Sequence, residues 1–373
     1  MNKKSIITIL LALMSMAGWG QTKKTATITG NSPALKDGTI AVSYIHHAAV
    51  AVDTVRGGHF TIVVPVNGFT QSELMLRGEG CPNYSMPLYF SPDALIHLSG
   101  TDCLYPLWKV DSPIAEQQTI NSIVGHNVEV FKEYLQQCVV DASWSKTQHI
   151  YSKVLKQTMD FLPSLPVDAA LLFELETVAL HSQNYEEFPY KQQLKELEAA
   201  TAARAPKGFE RELSGIHTLV YPPHILQVGE EAVDGELFDM QGNKHHFFDA
   251  FARGRYVLMA FWSFACGVSL GVQQDINELY CQNSDKLEIV SINLDHLSLW
   301  QQNASGRQMA WQNWNEGKML RGGLDAHYCD FPATPYFVLI SPDKRIVWKS
   351  MGFNPAWFSS IADVVNGRKE CVE

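Results

Sequence analysis

The spacing of hydrophobic and polar positions changes period twice along the chain. Between residues 25 and 110 the apolar residues come in short runs, 25–29, 40–44, 49–55 and 59–63, split by Asn31-Ser32-Pro33, Lys36-Asp37-Gly38 and Arg56-Gly57-Gly58. Such runs and breaks predict strands joined by tight turns, and residues 21–111 are expected to form a β-sandwich. After Ser112-Pro113, an N-cap type followed by a residue suited to the first helical position, the period becomes helical. Apolar residues then recur at Ile120, Val124, Val128, Phe131, Leu135 and Val139. Further helices are predicted over 151–161, 167–181 and 190–203, broken by Pro163, Pro166 and Pro189, so that 112–222 forms a helical connector. Ala205-Pro206-Lys207-Gly208 and Tyr221-Pro222-Pro223 bracket a linker. From 223 to 373 strand-length apolar runs (256–261, 287–295, 336–340) alternate with a helical stretch over 267–280 and a helix and loop over 300–314. That alternation predicts an α/β domain with a right-handed strand–helix–strand crossover.

At 373 residues the chain is too long for one ordinary core, and two or three domains are expected. The composition, 46% hydrophobic and 18% charged, is that of a globular protein. A formal net charge of −10 argues against nucleic acid or an anionic membrane surface as partner. The N-terminus carries Lys3 and Lys4, an apolar run over 6–17 and then Gly18-Trp19-Gly20, the layout of a cleavable secretory signal peptide over residues 1–20. The run is too short to span a bilayer. Because the first cysteine is Cys81, lipid anchoring is not expected, and no later stretch is long enough to cross a membrane. The mature chain is therefore expected in the periplasm or cell envelope, with no integral membrane segment.

An exported chain sits among oxidants, which makes its seven cysteines informative. They stand at 81, 103, 138, 266, 281, 329 and 371, without regular spacing, and an odd number leaves at least one unpaired. Cys81 and Cys103 can pair across the first domain or remain buried thiols. Cys138 and His181 are single residues on helical faces and read as structural. His46-His47 are neighbours on a strand and point to opposite faces, a poor basis for a shared metal. No metal site and no cofactor site is expected. Cys266 differs from the rest. It follows an apolar strand and a turn, Trp262-Ser263-Phe264-Ala265, and stands at the first turn of a helix. Free backbone N–H groups and the positive end of the macrodipole lower a thiol pKa there and make the sulfur nucleophilic.

The strand–Trp-x-x-x-Cys–helix stretch, Trp262 to Cys266, resembles the active-site region of secreted thioredoxin-like thiol–disulfide oxidoreductases of the TlpA/AhpC-TSA type. Leu237-Phe238-Asp239-Met240-Gln241-Gly242-Asn243 looks like the family's entrance hairpin, and the second strand ends in the Asn293-x-Asp295 common there. Thr334-Pro335 before the strand 336–340 stands where the family has a cis-proline facing the active cysteine. The first domain is similar to the small N-terminal β-domain (DUF4369-like) of many secreted members. The resemblance implies a thioredoxin-like fold for 223–373, Cys266 as nucleophile, and client docking by Trp262, Thr334 and Pro335.

One departure changes the implied mechanism. The family's Cys-x-x-Cys is Cys266-Gly267-Val268-Ser269 here, so attack on a disulfide survives while intramolecular release does not. A monothiol exchange or isomerase protein follows, with Ser269 helping to keep the thiolate ionised and with protein or low-molecular-weight thiols and disulfides as partners. A redox-inactive module binding peptide at the Pro335 groove is the alternative. A peroxidase reading finds Ser263 three residues before Cys266 but Met259 in place of the required proline. Cys281 or Cys329 can act as a distant resolving thiol, although buried packing suits both better, and His327 is a lone candidate base.

Overall fold

The computed structural model describes residues 24–45, 48–264, 266–295, 297, 300–301, 309–318, 321–330, 333–369 and 372. The expected signal peptide, His46-His47 and Cys371 lie outside these residues.

The chain opens with β1 (Thr25–Asn31), β2 (Ile40–Ile45), β3 (Ala48–Thr54), β4 (His59–Pro65), β5 (Thr70–Arg77), β6 (Met86–Phe90), β7 (Leu95–Ser99) and β8 (Lys109–Asp111). They make two four-stranded sheets, ordered β4-β1-β7-β8 and β3-β2-β5-β6. In β1 alternate residues are buried, the period of a strand with one face in a core. Its Ile28 lies opposite Ile62 of antiparallel β4 and Ile96 of parallel β7. These side chains meet Leu74, Leu76 and Leu88 of the other sheet in one core. Each such burial contributes roughly 1.5–3 kcal/mol. Gly57 and Gly58 both hold positive φ, 57° and 77°, in the tight β3–β4 turn where other residues are strained. Gly30 is needed for a different reason, because a Cβ there would sit 2.2 Å from the Phe60 ring.

Five helices follow: α1 (Ala115–Val140), α2 (Trp144–Phe161), α3 (Ala169–Ser182), α4 (Lys191–Arg204) and α5 (Glu210–Val220). They share one core built on Phe131, Leu135, Leu155, Leu172, Leu175 and Ile216. Three expectations are corrected here. Helix α1 begins at Ala115, behind β8 and an Ser112-Pro113 turn; the Ser112 hydroxyl accepts the Ile114 amide rather than capping the helix. The buried stripe of α1 runs through Ile120, Ile123, Asn127, Val130, Phe131, Leu135 and Cys138, while Val128 and Val139 are 38% and 39% exposed. The stretch expected as a linker is helix α5, which buries Ile216, Leu219 and Val220 at helical spacing.

The C-terminal part contains β9 (Glu236–Phe238), β10 (Lys244–His246), β11 (Tyr256–Trp262), α6 (Gly267–Gly271), α7 (Gln273–Asn283), β12 (Leu287–Asn293), β13 (Gln312–Asn315), α8 (Leu324–Tyr328), β14 (Tyr336–Ile340), β15 (Ile346–Met351) and α9 (Pro355–Val365). Its seven strands form one mixed sheet, β10-β9-β13-β12-β11-β14-β15. At its centre β11 runs parallel to β12, Tyr256 opposite Leu287, and antiparallel to β14, Val257 opposite Ile340. Both central strands are covered on both faces, so β11 is apolar along its length, while β12 buries Glu288, Ser291 and Asn293 among its apolar residues. Val272, Ile276 and Leu279 on the α7 side, with Phe358 and Ile361 of α9, cover one face. Phe247, Phe251, Leu324 and Tyr328 cover the other. The sequence placed Gln312 to Trp314 on a helix and loop; they belong to β13, beside β12. The helix expected over 267–280 is interrupted at Val272, whose ψ of −11° follows the weak helix former Gly271.

Candidate active site

Cys266 stands where β11 ends and α6 begins, and it is half-buried, with Gly267 and Val268 exposed beside it. It caps α6, its sulfur accepting the Ser269 amide at 3.4 Å. Across the loop, the peptide Thr334-Pro335 is cis. It presents the Thr334 carbonyl to the Cys266 thiol, which donates to it at 3.1 Å. The Cys266–Ser269 turn and Thr334-Pro335, 68 residues apart in the sequence at the contact, are thus brought together.

Competing effects set the protonation of this sulfur. Burial opposes ionisation, but the Ser269 hydroxyl and amide, then the Thr334 hydroxyl and the Val268 amide, outweigh it and hold the thiol below the ordinary cysteine range. The Ser269 side chain is 1% exposed, and its Oγ makes no regular hydrogen bond while Cys266 is a thiol. The neighbouring sulfur is the acceptor within its influence, so this contact strengthens when the sulfur carries charge. The α6 dipole adds little, since the helix breaks after Gly271. Local donors, rather than a long helix, therefore lower the pKa.

The loop is braced by a polar network that the sequence reading did not assemble. Asp295 accepts from the Ser263 hydroxyl at 2.7 Å, the Phe264 amide at 2.8 Å and Asn293 Nδ2 at 2.8 Å. Asn315 Nδ2 donates to the carbonyls of Asn293 and Asp295 at 3.0 and 2.9 Å. The Asn293-x-Asp295 pattern was the available signal. Ser263, half of a peroxidase motif on paper, has its hydroxyl directed at Asp295. Trp262 is 4% exposed, donates from Nε1 to Asn313 Oδ1 at 3.2 Å and packs edge-on against Phe264 in a cluster with Trp300. It backs the loop from inside.

The other thiols sit elsewhere. Cys329 is 2% exposed in the core of the sheet, and burial pushes its thiol far above the usual range. Cys281 is exposed on α7, within 4.0 Å of Asn277 Oδ1. Cys81 and Cys103 are free thiols against the core of the first two sheets, and burial drives Cys81 up to about 12. His327 has its pKa lowered by burial and by Lys318 and Arg321, and makes no hydrogen bond to Cys266. Among the described residues no cluster of three or more His, Cys, Asp or Glu side chains could hold a metal ion. No helix among them is long and apolar enough to cross a membrane.

Neither a family model nor a curated protein matches the sequence. Solved structures are similar to part of this chain. The thioredoxin domain of a thiol-disulfide oxidoreductase from Bacteroides vulgatus is 22% identical over 38% of this chain and 99% of its own, with a TM-score of 0.34. A putative thiol:disulfide interchange protein from Chlorobium tepidum is 19% identical over 38% of this chain and 98% of its own, TM-score 0.34. A thiol:disulfide interchange protein from a Bacteroides species is 23% identical over 39% of this chain and 94% of its own, TM-score 0.33.

Proposed function

We propose that the protein is a monothiol thiol–disulfide exchange or isomerase protein of the cell envelope, acting through Cys266. The observation that carries this reading is the half-exposed Cys266 sulfur, lowered in pKa by Ser269 and Thr334 and facing the cis Thr334-Pro335 peptide. The Cys266 thiolate attacks one sulfur of a client disulfide along the S–S axis. A Cys266–S–S–client bond forms, the client S–S bond breaks, and the electron pair leaves on the second client sulfur as thiolate. A second thiol, on the client or a small molecule, then attacks the mixed disulfide and returns Cys266 as thiolate. The Ser269 hydroxyl can donate a hydrogen bond but cannot attack sulfur, so release is intermolecular. The Thr334-Pro335 segment would lie alongside the client chain, and Trp262 would support the loop. The signal-type N-terminus supports the envelope address, and residues 21–111 and 112–222 would form separate domains ahead of the exchange module.

A binding-only reading draws on the same Ser269. The experiment is incubation of the reduced protein with glutathione disulfide, followed by intact mass and peptide mapping. A single glutathione adduct on Cys266, removed by reduced glutathione, is expected. Failure of Cys266 to form the adduct under conditions that modify a denatured sample would leave only peptide binding at Pro335.

A further inference from the structure

A cavity of about 270 Å³ lies where the helices meet the first two sheets, far in the chain from Cys266. Its walls come from α1, α2 and α3 and from the chain around β6 and β8. For scale, a 150 Å³ cavity lined by apolar side chains already admits benzene. Most of the lining is apolar, with Phe131, Leu155 and Val178 among it. Among the polar lining residues, two carry oxygens without a partner. Glu174 projects from α3 on the same face as Val178, and its carboxyl forms no ion pair and accepts no hydrogen bond. Asn127 is 3% exposed; its Nδ2 donates to Thr158 Oγ1 at 2.7 Å, but its Oδ1 is buried without a partner.

Glu174 keeps some accessible surface and lines the cavity. Burial alone pushes its carboxyl up to about 7, with no neighbouring cation to pull it down. Lys109, the one basic lining residue among those described, is exposed and forms no ion pair with it. An acid without a partner beside apolar walls is costly to keep unless something completes it. Both unpartnered groups offer acceptor oxygens, so the missing component is a donor. A group that supplies charge as well as hydrogen would compensate the carboxylate most fully.

We propose that this cavity binds a small apolar primary amine, whose hydrocarbon body fills the space beside Phe131, Leu155 and Val178 and whose ammonium donates to the Glu174 carboxylate. The site is independent of the exchange chemistry at Cys266. A neutral alcohol of the same shape would bury the same surface but bring no positive charge to compensate the carboxylate, and a carboxylate would meet like charge.

The test is calorimetric titration of the full chain with 2-phenylethylamine, 2-phenylethanol and phenylacetate, repeated on Glu174→Gln. Gln keeps the shape and removes the buried charge, with an NH2 group in place of one acceptor oxygen. The amine is expected to bind about tenfold or more tighter than the alcohol, because it alone brings a charge that compensates the buried carboxylate, with phenylacetate weakest. In Glu174→Gln the alcohol should retain its affinity while the amine falls to within about threefold of it. Should the amine bind no tighter than the alcohol, or keep its advantage in Glu174→Gln, the proposal is wrong. Absence of binding by all three to a variant and parent that unfold cooperatively would show a water-filled cavity and overturn it equally. Gly125→Phe is the second variant. Gly125 lines the cavity from the exposed side of α1, and nothing lies within 4 Å of where its Cβ would be, so the ring has room to occupy the mouth. It should weaken all three probes together without disturbing glutathione exchange at Cys266; unchanged binding would place the probes elsewhere.

Discussion

Cys266 and Cys329 carry the same side chain in the same sheet-based part of the molecule, yet the structure drives them in opposite directions. Cys329 packs among Tyr328, Leu324 and Tyr336, where burial pushes its thiol far up. Cys266 is also partly desolvated, but Ser269, Thr334 and the Val268 amide surround it with hydrogen-bonding groups, and its thiol moves down. Burial by itself therefore makes an inert cysteine, and directed donors make a reactive one. The chain positions those donors with a capping turn, a cis X–Pro peptide and a carboxylate, Asp295, that ties the loop to β12.

The largest effect should come from the tie itself. Asp295→Ala leaves the Ser263 hydroxyl, the Phe264 amide and Asn293 Nδ2 without their common acceptor. About 2–4 kcal/mol of stability should be lost in denaturant unfolding, with a parallel loss of Cys266 reactivity. Next comes the direct contrast of the two thiols. Cys329→Ser buries a hydroxyl in the sheet core and should cost about 1–3 kcal/mol while leaving exchange intact. Cys266→Ser should cost well under about 1 kcal/mol, as half-exposed substitutions usually do, and abolish exchange. A large stability loss from Cys266→Ser would break the comparison. Ser269→Ala removes the foremost donor, so the apparent pKa in alkylation should rise, with stability nearly unchanged because the Oγ has no other partner.

The smallest effect is the pH dependence of stability. The folded pKa of Cys266 lies below its unfolded value, so the unfolded state binds more protons between the two. The stability it contributes is present above the unfolded pKa and lost as pH falls through the folded one. Cys329 has the opposite sign: its folded pKa is raised, so its contribution is full below the unfolded pKa and declines as pH rises above it. Compared with the parent under reducing conditions, Cys266→Ala should lose ground from pH 6 to 9, and Cys329→Ala should gain ground above pH 9. Urea melts at each pH check both slopes.

The sequence displayed this arrangement unevenly. The central strands β11 and β14 were readable because both their faces are buried, which makes them continuous apolar runs, and β12 by its apolar centre at Ile289 and Val290. Cys266, Ser269, Thr334 and Pro335 were visible as separate marks, but the meeting of Cys266 with Thr334, 68 residues on, depends on the pairing of β11 with β14. The Asp295 network was opaque because three of its donors come from a turn and a neighbouring strand whose geometry no spacing rule supplies. Prolines and Gly208 drew attention to loops on both sides of α5 and hid the helical spacing of Ile216, Leu219 and Val220. In α1 the face was misread because Asn127, a polar residue, belongs to the buried stripe, while Val128 beside it is exposed.

The most direct test of the central claim is the rate of Cys266 alkylation by iodoacetamide as a function of pH, followed by peptide mass with exposed Cys281 as internal reference. Cys266 should titrate with an apparent pKa clearly below the ordinary cysteine value of about 8.5. A Cys266 that reacts with an unshifted or raised pKa would contradict the account, for the donors around it would then not be holding a thiolate.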